Sequence, residues 1–404
     1  DALLRNGGRA RPTLIHHQDS KQCPASIQAF YGKLRRTPVA LSEAFLAAST
    51  QRLRPFLPQR AAVTLPTSLT SFAVLVFDGK TFKNAAKRLK AVRGKAGRGL
   101  GGRALVAMEL ATGLLIAMAA HPDAHINEAK LVPDLLKAAR QQLQGPRLWV
   151  ADRQFGDLAQ VRRCTEDGDH FVLRLHKKSQ FDVDPNQPVR TGVDEHGRAW
   201  TEEIGTLHST RQGSMTVRRI TLTRKDQEAI VLITDLLDVT LYPANDLLAL
   251  YRQRWCIENV FQKVTDVFHL SHLIGSSPQA IIFQGAFCML LYNLLQAVRT
   301  IIADTQDITP PTVSTQKLFE DMHEQLTVVH YLSPPDQVLA SLRERATTIV
   351  DLKAHLITML KNAWKPRWLK SPPKKRNLKP VKHKRGTGGH FSIHRVLLEN
   401  QNRV

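Results

Sequence analysis

The stretch Phe72-Ala-Val-Leu-Val-Phe-Asp-Gly79 decides the fold. Six apolar residues, rich in β-branched and aromatic side chains, lead into an Asp-Gly pair, which is typical of a buried strand that ends at a turn. A second stretch of this kind, LWVAD at 148–152, also ends in Asp. Two such strands side by side would bring Asp78 and Asp152 to one edge of a sheet. A lone Asp in this position is more often a turn or cap residue, so the argument depends on the pair.

The surrounding segments predict a mixed sheet with helices on its faces, followed by a β-rich insertion at about 176–240. Residues 176–240 combine polar turns with alternating strands, whereas 24–70 and 309–360 have mainly helical periodicity. The other predicted elements are a hairpin (104–110 and 113–118), helices at 126–143 and 157–164, and strands at 170–175 and 228–234. The chain is thereby divided into a helical N-terminal region (1–70), a catalytic domain (71–302) and a helical C-terminal region with a basic tail (303–404).

The charge of the chain is concentrated in three segments. The 57 Lys and Arg residues exceed the 35 Asp and Glu residues, which gives a net charge of +22 over 404 residues. Residues 1–70 carry +7, 80–103 carry +9 and 361–404 carry +12, so the rest of the chain carries −6. This distribution indicates a polyanionic partner, nucleic acid before acidic membrane. The alternative for any single basic run is a solvated surface.

The cysteines argue against structural zinc. They lack CxxC spacing and are not flanked by histidines as in a zinc finger. Reduced, mostly buried thiols are expected, and no apolar signal segment is visible at the N-terminus, so a cytoplasmic protein is predicted. The four residues are Cys23, Cys164, Cys256 and Cys288.

An uncharged apolar run at 280–298 has two interpretations. Its length is close to that of a membrane span. Gln284, Asn293 and Gln296 interrupt it, however, and the chain around it is strongly basic. A buried core helix is therefore predicted, and no membrane partner.

A third carboxylate lies on a helix predicted from about residue 244 to residue 268. At about 100° per residue, Tyr251, Arg254 and Glu258 fall on one polar stripe of this helix. The alternative for Arg254 and Glu258 is an ordinary surface ion pair between residues four apart.

Three segments together resemble the signatures of DDE transposases of the insertion-sequence-4 type. They are FDGKTFK at 77–83, ADRQFGD at 151–157 and YRQRWCIENVFQK at 251–263. In the family's third motif, Tyr, Arg, Glu and Lys follow one another at fixed spacing. Tyr251, Arg254 and Glu258 fit the first three positions. The motif's final Lys falls at Thr265, and Lys263, the nearest lysine, lies about 140° off the stripe. The resemblance covers about residues 70–300.

This resemblance implies a ribonuclease H-like fold with Asp78, Asp152 and Glu258 as catalytic and metal-binding residues. Three carboxylates would hold two Mg²⁺ ions, for which Mn²⁺ can substitute, and hard oxygen ligands suit both metals. The implied activity is cleavage of transposon ends and transfer of their 3′-hydroxyls to target DNA. The alternatives are an inactive or repurposed DNA-binding protein and a ribonuclease H-like nuclease without strand transfer.

The expected partners are transposon terminal inverted repeats and target DNA, bound by a homodimer near the nucleoid of a bacterial cell. The glycine-rich loop at 80–103 permits close backbone approach to phosphates. The first 70 residues are expected to help read the terminal repeat. In the basic stretch from 362 to 390, Trp364 and Trp368 belong either to an arm that stacks on DNA or to a disordered tail. The expected DNA contacts are Tyr251, Arg254, Lys263, Lys80, Lys83, Lys87, Arg88, Lys90 and Arg153.

Overall fold

A computed structural model describes residues 25–58, 62–83, 85–266, 276–332, 335–372 and 389–402. Predictions for residues 1–24, which include Cys23, and for most of the basic stretch at 373–388 lie outside these ranges. Among the described cysteines, Cys164, Cys256 and Cys288 are free thiols, as expected.

Twelve strands occur in the described residues. They are β1 (Ala73–Thr81), β2 (Arg98–Leu100), β3 (Arg103–Glu109), β4 (Leu115–His121), β5 (Arg147–Ala151), β6 (His170–Arg174), β7 (Gln180–Val183), β8 (Arg190–Val193), β9 (Ala199–Ser209), β10 (Gly213–Leu222), β11 (Ile230–Thr234) and β12 (His390–Ser392).

The α-helices surround the strands and form most of both terminal regions. They are α1 (Ile27–Arg36), α2 (Val39–Leu53), α3 (Val132–Arg140), α4 (Leu158–Cys164), α5 (Ala244–Arg252), α6 (Trp255–Asp266), α7 (Pro278–Thr305), α8 (Thr315–Leu332), α9 (Pro335–Arg345), α10 (Ile349–Asn362) and α11 (Ile393–Gln401).

Ten strands form one mixed sheet in the order β4-β3-β1-β5-β6-β11-β10-β9-β7, with β8 paired to β9. β1 is antiparallel to β3 and parallel to β5, and β5 is parallel to β6. The first five strands in this order therefore have a ribonuclease H-like arrangement, as predicted. The β-rich insertion continues the same sheet, because β11 pairs antiparallel with β6.

Alternation along the strands gives each face of the sheet its own core. Val74 and Val76 point to a core shared with α5, α6 and α7. Leu75 and Phe77 point to the opposite core, where α3 and α4 pack. Because successive side chains of a strand face opposite ways, the even-numbered residues of β1 all face α6.

Helix α7 is the core helix predicted at 280–298. Among the described residues it is the one helix long and apolar enough to cross a membrane, and 72% of its most apolar window is buried inside the protein. Its buried Asn293 accepts a hydrogen bond from the Leu115 amide at 2.9 Å and donates to the Thr50 hydroxyl at 2.8 Å. This polar interruption of the apolar run therefore bonds to α2 and β4.

Two predicted helices differ from the observed ones. The helix predicted at 126–143 is shorter, because Pro133 lies in the first turn of α3 and a separate 3₁₀ turn precedes it. The single helix predicted from 244 to 268 is instead two helices, α5 and α6. The amides of Gln253 and Arg254 bond three residues back, to Leu250 and Tyr251, which tightens the chain into a turn between them.

The basic loop at 80–103 is anchored by the C-terminal segment. Its strand β2 pairs in parallel with β12, and the ammonium groups of Lys87 and Lys95 each lie 5.6 Å from the Phe391 ring. Gly97 has a φ of 85°, and a side chain there would collide with the Gly389 carbonyl oxygen. Pairing with β12 and the close approach of Gly97 to Gly389 therefore join this part of the loop to the C-terminal segment.

The aromatic residues before the basic tail pack against the protein. Trp368 is only 3% exposed, and its ring meets the edge of Trp364 at 6.0 Å. A buried ring has no free face for a base, so Trp368 does not fit the predicted stacking arm.

Candidate active site

The register of the sheet brings the two aspartates together. Val76 of β1 pairs with Val150 of β5 in parallel register, and Asp78 and Asp152 each follow two residues later. Both carboxylates therefore lie on the α6 side of the sheet. One detail differs from the prediction: β1 does not end at Asp78, because its pairing with β3 continues to Thr81.

Glu258 reaches this edge of the sheet from the first turn of α6. The Nη1 atom of Arg254 lies 2.8 Å from Glu258 Oε1 and 3.9 Å from Asp78 Oδ2. The Arg254 side chain is only 5% exposed. The ion pair between residues four apart thus exists, but its arginine is buried and also lies beside Asp78 of β1.

Asp152 is held by two further side chains. The Tyr251 hydroxyl donates a hydrogen bond to Asp152 Oδ1 at 3.3 Å, and Arg174 Nη1 lies 4.0 Å from the same oxygen. The predicted stripe of Tyr251, Arg254 and Glu258 therefore faces one site despite the break between α5 and α6. Sequence reasoning missed Arg174, although it ends a strand that neighbours β5.

The Asp78 carboxyl is largely buried, and its polar contacts do not fully offset the loss of hydration. Burial raises the pKa of Asp78 to about 6, and the nearby charges of Glu258 and Glu128 act in the same direction. The Gly79 amide, which donates to Asp78 Oδ1 at 2.8 Å, and Arg254 oppose this rise. Burial, with the charge of Asp152, also raises the pKa of Tyr251 to about 12, so its phenol remains a donor at neutral pH.

Glu128 is a fourth carboxylate that the sequence did not reveal. A side chain at position 79 would collide with its carboxyl group, so Gly79 leaves room for Glu128 within β1. Arg103 lies 3.4 Å from Glu128, and burial raises the pKa of this carboxyl. The Asp-Gly pair was interpreted as a turn, whereas the glycine serves this close approach.

The donor set has the chemistry of a site for hard cations. Asp78, Asp152 and Glu258 offer carboxylate oxygens alone, which suit Mg²⁺ and Mn²⁺. Among the residues that the structure describes, no three acidic, His or Cys side chains are grouped closely enough to hold a metal ion. Arg254 is the cation that bridges Asp78 and Glu258.

The third motif departs from the family pattern at Thr265. The lysine that reaches Thr265 is Lys80 rather than Lys263. The Lys80 ammonium donates to the Thr265 hydroxyl at 2.7 Å and to the Phe261 carbonyl at 3.2 Å. It thereby joins the strand of Asp78 to the helix of Glu258. Lys263 points the other way, with its ammonium 6.0 Å from the Tyr292 ring on α7.

The remaining predicted DNA contacts differ in their surroundings. Lys83, Arg88 and Lys90 are exposed on the loop after β1. Lys87 is half-buried and donates to the Lys95 carbonyl. Arg153 is paired with a carboxylate, because its Nη2 lies 2.6 Å from Glu228 Oε2.

Residues 70–294 match the transposase DDE domain family. The match covers more than half of the chain, and the chain belongs to this family. No curated protein matches it. Among solved structures, a piggyBac transposase synaptic complex with hairpin DNA, determined by cryo-electron microscopy, aligns with 11% identity and a TM-score of 0.34. The alignment covers 78% of this chain and 61% of that one, so it spans less than two thirds of the piggyBac chain.

Proposed function

We propose that this protein is a DNA transposase of the insertion-sequence-4 type. It would cut the ends of a mobile element and join their 3′-hydroxyls to target DNA. The observation that carries the proposal is the register of β1 and β5, which sets Asp78 beside Asp152 and opposite Glu258. This arrangement occurs in a chain of the DDE transposase domain family.

Asp78, Asp152 and Glu258 are the residues that would hold divalent cations. Mg²⁺ or Mn²⁺ bound there would supply Lewis-acid activation of the attacking and leaving oxygens in an in-line displacement at phosphorus. The raised pKa of Asp78 supports this assignment, because a buried carboxylate beside other carboxylates favours a bound cation or a proton.

Arg254 and Tyr251 would position the DNA strand. The Arg254 guanidinium has a geometry suited to phosphate oxygens, and it lies between two of the carboxylates. Tyr251, protonated at neutral pH, would hold Asp152 in place or donate to the DNA backbone.

The basic loop would contact DNA beside the cleavage site. Lys83, Arg88 and Lys90 are exposed on the segment that directly follows the Asp78 strand, and positive charge there would offset the repulsion between DNA and the carboxylates. Lys80, Lys87, Lys263 and Arg153 complete the proposed set of DNA-contacting residues. The terminal repeats and target DNA are the proposed substrates, bound by a homodimer with help from residues 1–70.

The test uses DNA that carries the ends of the element encoding this chain. With Mg²⁺, the wild-type protein should nick these ends and join them to a target plasmid. Asp152→Asn should reduce cleavage about a thousandfold or more, because the three carboxylates act as a unit. Asp157→Asn is the matched control. It makes the same chemical change one 3₁₀ turn later, at the start of α4, where Asn is also a good helix cap.

Each alternative corresponds to a distinct result. DNA binding without metal-dependent cleavage by the wild type would indicate an inactive DNA-binding protein. Cleavage without joining would indicate a nuclease that lacks strand transfer. Equal cleavage by Asp152→Asn and the wild type would show that the active site has been assigned to the wrong residues.

A further inference from the structure

A cluster of cations lies on the side of α6 that faces α7, away from the carboxylates. Lys263 extends from α6 over the ring of Tyr292, and Arg299 lies about two turns further along α7. Lys370 lies at the exposed rim, where its backbone amide donates to the Thr312 carbonyl at 2.9 Å and fixes the segment in place. The three cationic residues come from three separate parts of the chain.

Arg299 is the most deeply buried member of this cation cluster. It is 7% exposed, and its Nη1 donates to the Thr315 hydroxyl at 3.1 Å. Its Nε is buried and has no hydrogen-bond partner among the described residues. A buried guanidinium N–H without a partner is costly, and an anion would supply the missing acceptor.

No acidic residue whose side chain the structure describes forms an ion pair with any of the three cationic residues. The neighbours that oppose their charge are the Cys256 thiol and the Tyr292 phenol, which burial keeps neutral. Burial and the charges of Arg299 and Lys370 lower the pKa of Lys263 to about 8. The pKa of Lys370 is lowered too, by burial and by Arg299.

Other buried arginines of this protein are neutralised by acids. Arg218 is fully buried and bonds to Glu202 at 2.5 Å. Arg147, also largely buried, pairs with Asp169 at 2.8 Å. The Nε atoms of Arg147 and Arg218 are also buried without a partner, so Arg299 differs from them in its surroundings. Its hydrogen-bonding partner is a hydroxyl group, and its charge acts on two other cations, Lys263 and Lys370.

We propose that Lys263, Arg299 and Lys370 form a phosphate-binding subsite for the DNA backbone, separate from the carboxylate site. This inference rests on the proposed function, since DNA is the source of the phosphate. Lys263 follows Glu258 by five residues, which is about 7.5 Å along the helix axis. The subsite would therefore hold a phosphodiester near the cleaved bond but on the other side of α6.

The first test measures DNA affinity against salt concentration, in EDTA, for the wild type and Lys263→Met. Loss of one phosphate contact should weaken binding several-fold and reduce the magnitude of the log–log salt slope by about 1. The matched control is Lys225→Met, which removes one exposed charge from the insertion and should leave the salt slope nearly unchanged. Lys370→Ala at the rim should weaken binding as well, and Lys370→Arg should restore it.

A stability measurement separates a binding role from a structural one. Without DNA, Lys263→Met should melt at the same temperature as the wild type or higher, because it relieves repulsion among the cations. Inorganic phosphate should raise the melting temperature of the wild type, relative to chloride at equal ionic strength, but not that of Lys263→Met. A lower melting temperature for Lys263→Met with no phosphate effect on either protein would overturn the subsite.

The two sources of phosphate also give different results. A phosphate effect together with unchanged DNA affinity in Lys263→Met and Lys370→Ala would overturn the assignment to the DNA backbone and leave a site for a free anion. Normal cleavage by the wild type with unchanged DNA affinity in both variants would overturn this inference alone. Failure of the wild type to bind or cut the element ends would overturn the proposed function itself.

Discussion

The two sides of α6 deal with charge in opposite ways. On the side that faces β1, each of the three carboxylates has a protein partner: Arg254 bridges Asp78 and Glu258, and Tyr251 bonds to Asp152. On the side that faces α7, the cation cluster has no acidic partner among the described residues. The first arrangement is held together by its own ion pairs, whereas the second lacks an anion. The lack of an acidic partner on the α7 side therefore indicates where an anionic ligand is expected, whereas the ion pairs on the β1 side hold the candidate metal-binding residues in position.

Among changes to residues that hold the carboxylates or the cations in place, removal of the Arg254 bridge should have the largest effect. Arg254→Met would leave Asp78 and Glu258 without their shared cation, and cleavage of element ends should fall about 100- to 1,000-fold. Unfolding in urea should show a loss of about 1–3 kcal/mol, less than for a fully buried pair because Glu258 is partly exposed.

Arg252→Met is the matched control for this prediction. Arg252 ends α5, on the other side of the turn, and pairs with Glu195 at 2.6 Å. This variant should retain cleavage. If the two substitutions reduced cleavage equally, the bridge formed by Arg254 would have no special importance.

The second prediction concerns the pH dependence of stability in metal-free buffer. The pKa of Asp78 is about 6 in the folded protein against an ordinary value of 3.8, so the protonated carboxyl stabilises the fold below pH 3.8 and this contribution is lost as pH rises through 6. Above pH 7, Asp78→Asn should therefore be more stable than the wild type by about 2–3 kcal/mol, and the advantage should shrink towards pH 4.

Thermal melts from pH 4 to about pH 8 in EDTA would test the titration of Asp78. Glu128→Gln removes a like charge near Asp78 and should move the midpoint of the transition to lower pH. A difference between Asp78→Asn and the wild type that stayed constant over this range would contradict the assignment.

The smallest expected effect concerns the hydrogen bonds by which Lys80 joins β1 to α6. Lys80→Met would remove the hydrogen bonds to Thr265 and to the Phe261 carbonyl, at about 1–2 kcal/mol of stability. Thr265→Val removes the bond from Lys80 and also the bond that the Thr265 hydroxyl donates to the Phe261 carbonyl at 2.7 Å, so it should lose a similar amount. Chemical denaturation measures both losses, and an unchanged stability of Lys80→Met would mean that the hydrogen bonds between β1 and α6 contribute nothing.

The strands that carry Asp78 and Asp152 were predictable because their information is local. Continuous apolar runs in 72–79 and 148–152 identify two strands, and equal spacing from Val76 and Val150 puts both aspartates on one face. Tyr251, Arg254 and Glu258 were also grouped correctly, although the single helix that was predicted is broken. The break was not predictable, since no Pro or Gly marks residues 253–254 and the turn depends on backbone bonds and on the burial of Arg254.

The sequence by itself determined a mixed sheet with flanking helices, the basic segments around an acidic body, and the residue types at the candidate site, and the resemblance implied the ribonuclease H-like fold. Tertiary structure alone decided that Glu128 lies against Gly79, that Lys80 reaches Thr265, and that Lys263, Arg299 and Lys370 converge. The physical reason is the separation of the residues along the chain. Periodicity and composition reflect residues that are close in sequence. The approach of side chains from distant elements depends instead on how the sheet and α7 pack.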